Sequence, residues 1–553
     1  MTAGTASGAA MLVRSLEAEG VEYLFCIPGA KVDKVLDCLI DTKIKTVVCR
    51  HEQNAALIAQ GIGRMTGKAG VCLVTSGPGC TNLTTGLATA NYEGDPVVAL
   101  GGAVPLADRL KLAHQSLDTV SLFRPVTKFA AEITAGHGIP EVVAAAFRTA
   151  EWGRPGSAFV ALPKDVMEGP APFGHPGPSP RPHLGCPDAA AIAEAAKWIN
   201  RARVPVLCLG MLAGTPGVAA AVRALLRNTP PPVVCTYQGA GVISRDLLPC
   251  FAGRVGLTHN QPGDRLLDAA DVVVTIGFDP IEYDPVLWNE GKKRTIIHID
   301  STPAEMDVDY WPAVELIGDT AATVAALAAQ LAPRTAVDEI AELGAAGRAL
   351  NEVKQQGATH NGSPVHPLRL IHELQDMLPD DATVLCDVGS LYMWMSRYFF
   401  SFEPRHFLTS NGQQTLGVAL PWAIAASLVR PGKPILSMSG DGGFLFSAQE
   451  LETAVRLKCD FVHLVWTDGF YDMVKIQQDP KYGRHTAVAL GPVDVVKYAE
   501  AFGATGMRIH RPDEIAPTLR KAFATAGPVL IDVPVDYRDN PKLFQTVQGA
   551  GVH

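Results

Sequence analysis

The sequence predicts an α/β protein of three consecutive domains, each a doubly wound parallel sheet with helices on both faces. Three observations predict it. Short runs rich in Val, Ile, Leu and Cys alternate with helical runs, the pattern of strands in a parallel sheet between helix layers. Two stretches dense in Pro and Gly, 168–185 (EGPAPFGHPGPSPRPHLG) and 357–367, interrupt the alternation and read as linkers. The length, 553 residues, amounts to roughly three or four domains of ~100–200 residues.

In the first block, 21–27 reads as a strand, followed by a Pro28-Gly29 turn and a helix from about Lys31. A second strand at 46–49 leads to an Ala- and Ile-rich helix over 52–65. A buried strand over 70–75 (GVCLVT), a helix of small residues over 79–91 and a strand over 96–100 follow. In the middle block, 206–210, 233–237, 271–277 and 295–300 are strand-like, and an Ala-rich segment at 318–350 leads to the second linker. The last block shows strands at 383–387, 435–438, 461–466 and 529–533, with helices between. The expected domains are 1–168, 186–335 and 365–540, and no short-period repeat is visible.

Composition narrows the class. The net charge of −9 argues against a phosphate-backbone partner, so no nucleic acid is expected. With 47% hydrophobic and 19% charged residues the chain is an ordinary globular one. Its 11 Cys are scattered, with no Cys-x-x-Cys pair, which suits a reducing cytosol better than a disulfide framework. The N-terminus has no basic n-region or long apolar run, and no stretch reaches the ~18 apolar residues of a membrane span. A cytoplasmic enzyme with no membrane partner is expected.

The sharpest signal is PILSMSGDGGF at 434–444, a buried strand ending in Gly440-Asp441-Gly442-Gly443. One helix and one strand later, FVHLVW ends in Asp468-Gly469-Phe470-Tyr471-Asp472. Ligands of open α/β sheets bind at the carboxyl ends of strands, and here two strands each deliver an Asp. Glycines let backbone N–H groups approach phosphate oxygens, and Mg²⁺ takes one or two carboxylates plus phosphate oxygens. Asp441, Asp468 and the carbonyl of Phe470 are the expected metal ligands. Alone, Gly-Asp-Gly is simple turn chemistry. With the second strand-terminal Asp it resembles the thiamine-diphosphate motif, departing from the usual Asn-Asn end at Thr467-Asp468.

That cofactor requires a carboxylic acid beside its pyrimidine N1′. In Arg50-His51-Glu52-Gln53-Asn54, Glu52 stands between a strand and a helix, near the sheet edge. Desolvation there raises a carboxyl pKa and favours proton sharing. The plainer alternative is a Glu favoured by the helix N-terminus.

Over nearly its whole length the chain resembles the thiamine-diphosphate enzymes of the acetohydroxyacid synthase and pyruvate decarboxylase group. The matching runs include CIPGAK (26–31), RHEQNAA (50–56), LVTSGPGCTNL (73–83), HQSLDTVSLFRPVTK (114–128), SNGQQTLGVALPWA (410–423) and SGDGGF (439–444). Within the group, Ala30-Lys31, His114-Gln115-Ser116, IGFDPIEYDPVLWN (276–289) and FYDMVKIQQDPKYGRHTAVALG (470–491) resemble the catabolic, FAD-independent acetolactate synthases.

The resemblance implies decarboxylation of pyruvate and ligation to a second pyruvate, giving 2-acetolactate and CO₂, with thiamine diphosphate and Mg²⁺ and without FAD. It implies a homodimer or homotetramer whose sites lie between subunits, so that Glu52 of one chain meets Asp441 of another. Glu52, Gln115, Lys31 and Gln477 are the expected catalytic group, with Gln477 placed where acceptor choice is made. Ser390, Gln413, Leu416, Gly440, Asp441, Gly442, Gly443, Asp468, Phe470, Tyr471, Asp472 and Met473 would line the cofactor, Leu416 as the wedge between its rings. Each has a bland alternative: Leu416 as core, Lys31 and Gln477 as solvated helix residues. A simple 2-keto-acid decarboxylase and an FAD-dependent biosynthetic synthase remain the alternatives within the group.

Overall fold

The structure is a computed structural model and describes residues 5–172, 177–333 and 340–544. It contains three six-stranded sheets, and every neighbouring pair of strands in them is parallel.

The first sheet runs, in spatial order, Lys45–Val48, Tyr23–Cys26, Gly70–Val74, Val97–Ala103, Ser157–Pro163 and Phe129–Glu132. Its central strands are buried throughout because helices cover both faces, which is why they read as continuous apolar runs. The middle sheet runs Phe251–Val255, Val233–Thr236, Pro205–Leu209, Val272–Ile276, Thr295–Asp300 and Val314–Ile317. The last runs Phe407–Thr409, Thr383–Cys386, Ile435–Gly440, Phe461–Thr467, Pro528–Pro534 and Thr505–Arg508.

The described chain falls into two compact units. One comprises Met1–Pro182, Gly412–Pro431 and Ser447–Cys459; the other His183–Asn411, Gly432–Phe446 and Asp460–His553. The first unit therefore holds the first sheet together with the helix Ala419–Val429, which packs on the helix Glu52–Thr66. Their approach requires Gly61: a Cβ there would lie 2.8 Å from the Cβ of Ala425. The second unit holds the middle and last sheets, each with its own apolar core.

Two local expectations need correction, and a third segment gains its structure. The expected linker at 168–185 begins with order: Pro170–Pro172 pairs antiparallel with Thr5–Ser7, tolerated because prolines sit readily on an edge strand; residues 173–176 of it lie outside the described set. The expected helix 79–91 is two, Pro78–Asn82 and Thr84–Glu93. The Ala-rich 318–350 forms Thr320–Ala328 and the start of Ala341–Thr359, with 334–339 outside the described residues. All 11 cysteines are free thiols, and among the described residues no helix is long and apolar enough to cross a membrane.

Candidate functional site

In the first unit, four neighbouring strands end at one edge; three are followed by a predicted site residue and the fourth by the turn Ser76–Gly79. Glu52 follows Lys45–Val48, Lys31 follows Tyr23–Cys26, Ser76–Gly79 follow Gly70–Val74, and Gln115 follows Val97–Ala103. Glu52 is the first residue of the helix Glu52–Thr66, whose N-cap His51 accepts the N–H of Gln53 through Nδ1 (3.1 Å). Its Oε2 accepts from Asn82 Nδ2 at 2.9 Å. A Cβ on Gly79 would stand 3.6 Å from Oε1, so this glycine leaves the carboxyl open on one side. The expectation of a largely desolvated Glu52 is not met within one chain, where it is half-buried.

Gln115 holds a left-handed backbone, φ 61°, which costs a non-glycine residue on the order of 1–3 kcal/mol. The buried Ser76 hydroxyl donates to its Oε1 at 2.9 Å, and Gly77 makes room for its stem. Ser76 is thus a support for Gln115. Lys31 is half-buried, its Cβ 2.9 Å from the position of a Cβ on Gly102. Gln413 and Leu416 also belong to this unit. Their loop is anchored by Glu93, which accepts the N–H of Gly412 at 2.8 Å, and by Thr415 to Thr89 at 2.7 Å. Gln413 is exposed and Leu416 half-buried.

In the second unit, four neighbouring strands of the last sheet again deliver side chains to one edge. Ser390 follows Thr383–Cys386; Gly440 to Gly443 end Ile435–Gly440; Asp468 to Met473 follow Phe461–Thr467; Tyr537 and Asn540 follow Pro528–Pro534. Asp441 is fixed by two backbone donors, Gly442 N–H to Oδ1 (2.9 Å) and Gly469 N–H to Oδ2 (2.8 Å). Burial, partly offset by these bonds, raises its pKa. Asp468 is pushed up to about 7, by burial first and then by the charges of Asp472 and Asp441. Three carboxylates crowded at one sheet edge are a concentration of negative charge that suits a hard cation.

Asp472 is buried and already engaged: Ser390 donates to it at 2.7 Å and Asn540 donates to the same oxygen. It therefore orients the start of the helix Asp472–Tyr482, leaving Asp441 and Asp468 as the carboxylates available to a metal. Gly442 must be glycine because a Cβ would fall 2.5 Å from the Tyr471 ring. Gly469, at φ +78°, has nothing within 4 Å of its Cβ position, so it is glycine for its backbone conformation. Tyr471 N–H donates to Val488 O at 2.8 Å, and Phe470 bridges to Ala489, which ties this loop to the segment after the helix. Asp468, Phe470 and Asp472 line a cleft of about 370 Å³ with Lys475, Ile476 and Tyr537. Met473 packs against the core, and Gln477 is exposed on the helix within one chain, the bland alternative of a solvated helix residue.

Four contributors lie outside the sequence-predicted set. Asp387, fully buried, accepts from Ser439 at 2.9 Å and stands 3.1 Å from a Cβ position on Gly443. Its strand-terminal place before Val388-Gly389 is a signal of the same kind as Asp441. Asn82, Tyr537 and Asn540 carry no local pattern that marks them.

Comparison with known proteins agrees with this geometry. Three family profiles match: Thiamine pyrophosphate enzyme, N-terminal TPP binding domain over 6–122, the central domain over 192–327, and the C-terminal TPP binding domain over 387–533. The chain belongs to the thiamine pyrophosphate enzymes, and within them to the acetolactate synthase family. It is 52% identical over 541 residues to an acetolactate synthase of Bacillus subtilis, covering 97% of this chain and 94% of the relative. It is 49% identical over 544 residues to "Acetolactate synthase, catabolic" of Raoultella terrigena, covering 98% and 97%. A probable acetolactate synthase large subunit of Methanocaldococcus jannaschii is 34% identical over 552 residues, covering 96% and 92%.

Proposed function

We propose that this chain is an FAD-independent catabolic acetolactate synthase: it decarboxylates one pyruvate and joins the remaining two-carbon unit to a second pyruvate, giving 2-acetolactate and CO₂. The observation that carries this reading is the pairing of about-half identity to named acetolactate synthases over nearly the full length with the presence of Glu52, Asp441 and Asp468 at two strand-end edges.

The residues fit the cofactor. The glycine-lined turn at 440–443 leaves room for a diphosphate, and Asp441, Asp468 and the Phe470 carbonyl would hold its Mg²⁺. Bound thiamine diphosphate supplies the electron sink for decarboxylation. Everything else is the protein's work. Glu52, held in place by Asn82, would be the acid that exchanges a proton with the bound pyrimidine. Ser390, Gly440, Gly442, Gly443, Tyr471, Asp472 and Met473 shape the diphosphate and thiazolium end, and Gln413 and Leu416 the middle, Leu416 as the wedge. Gln115, Lys31 and Gln477 would face the substrates, where Lys31 would offer a cation to a pyruvate carboxylate; ligation requires that water be kept from diverting the reaction.

The domains, in this reading, are pyrimidine-binding (1–168), central (186–335) and diphosphate-binding (365–540). In the same reading the protein is a cytoplasmic homodimer or homotetramer with active sites shared between copies, Glu52 coming from one copy and Asp441 from another. The test is incubation of purified protein with pyruvate, thiamine diphosphate and Mg²⁺, without FAD. Acetolactate is the expected product. Acetaldehyde alone, or activity only after FAD is added, contradicts the proposal.

A further inference from the structure

The buried carboxylates of the first unit include one that the chemistry above does not use. Glu450 is fully buried at the end of the short turn Ala448–Glu450. Its Oε1 accepts three hydrogen bonds: from the backbone N–H of Arg50 (2.8 Å), from that of His51 (3.0 Å) and from Asn54 Nδ2 (3.2 Å). Its Oε2 accepts the Thr453 hydroxyl at 2.7 Å. All four partners are donors, so the site is built for an acceptor-only carboxylate; these bonds partly offset the burial that raises its pKa. Around it, Arg456 donates to Val48 O, and Arg50 lies 3.5 Å from Glu452. The segment Ser447–Cys459 is therefore fastened to the turn that connects the strand Lys45–Val48 to the helix Glu52–Thr66.

Arg50 and His51 precede Glu52, and Asn54 follows it. One carboxylate thus holds the chain on both sides of Glu52, while the Glu52 side chain goes to Asn82. We propose that Glu450 is a positioning residue for the Glu52 carboxyl: it sets the angle at which the first helical turn presents that acid. The proposal rests on the role assigned to Glu52 above.

Geometry of this kind has a measurable weight, because a misplacement of about 1 Å in a catalytic group costs on the order of 100-fold in rate. The test compares Glu450→Ala with Glu450→Gln in the full-length protein. In Glu450→Gln the carbonyl oxygen still accepts from Arg50, His51 and Asn54, and the amide donates to a reoriented Thr453 hydroxyl. Glu450→Ala is expected to lower kcat by about 30- to 100-fold with the pyruvate KM changed less than about threefold. Backbone amide exchange across 50–54, read on cofactor-free protein, is expected to accelerate. Glu450→Gln is expected to restore kcat to within about fivefold and to restore the amide protection.

Accelerated exchange in Glu450→Ala with kcat within about twofold of the parent overturns the proposal; so does unchanged exchange. If Glu450→Ala does not fold, Asn54→Ala removes one donor of the three, and an unchanged kcat there overturns it equally. Exchange is independent of the product formed. Absence of acetolactate from the parent protein sinks the functional reading instead, so the two failures are distinguishable.

Discussion

The first sheet, from Lys45–Val48 to Phe129–Glu132, and the last, from Phe407–Thr409 to Thr505–Arg508, share one strand order. Counted along each block, both run second, first, third, fourth, sixth, fifth. Their carboxyl edges differ. The first presents one acid, Glu52, among Lys31, Gln115 and small polar turns; the last presents Asp441, Asp468 and Asp472 with glycines between. Topology decides where a ligand end is held, and side chains decide which end it is. The middle sheet follows a different order, third, second, first, fourth, fifth, sixth. At its switch point, between Pro205–Leu209 and Val272–Ile276, the protein places its own carboxylate. Glu282 there accepts from Met211 N–H (2.9 Å), Asp279 N–H (3.1 Å) and the Thr236 hydroxyl (2.5 Å).

The contrast between the outer edges predicts a contrast in mutants. Asp441→Ala or Asp468→Ala should abolish metal-dependent cofactor retention and reduce turnover by about 10³-fold or more. Glu52→Gln should reduce kcat by about 10²- to 10³-fold while cofactor and metal are still retained, as titration calorimetry would detect. Equal loss of cofactor in both edges would dissolve the distinction. A smaller effect sharpens it: Gly442→Ala drives a methyl into the Tyr471 ring and should weaken cofactor binding by about tenfold. Unaltered affinity would mean that the ring yields freely.

The smallest expected effect concerns Glu282 at the switch point of the middle sheet. Burial pushes Glu282 up to about 8 from the ordinary 4.5. The unfolded chain gives up this proton at lower pH than the folded one. The group therefore favours folding most below about 4.5, and that contribution is lost as pH rises through about 8. The melting temperature of the parent protein should fall across that window, and Glu282→Gln should flatten the slope. An unchanged slope would assign the pH dependence to other groups.

Much of this is legible in the sequence, and what is not has physical reasons. The central strands of all three sheets read as strands because both their faces are buried. Phe129–Glu132 and Thr505–Arg508 give no such signal, being edge strands of four residues each with no fully buried position. Phe251–Val255 is masked by Arg254, a buried guanidinium that donates to the Ser396 and Phe399 carbonyls at the end of the helix Ser390–Tyr398. In the site, strand-terminal acids announce themselves, since a Gly-flanked Asp after an apolar run has a local cause. Asn82, Asn540 and Glu450 act over 30, 68 and 400 residues of sequence on Glu52, Asp472 and Arg50, and no local pattern encodes such a partner.

The central claim is that the two edges grip opposite ends of one coenzyme contributed from two copies of the chain. Mixing Glu52→Gln and Asp441→Ala proteins, each nearly inactive, and allowing subunits to exchange tests it directly. A shared site predicts recovery to on the order of one quarter of parental activity, because half the dimers then carry one intact site. No recovery, with exchange verified by a mass label, would place both residues in the site of a single chain and contradict the account.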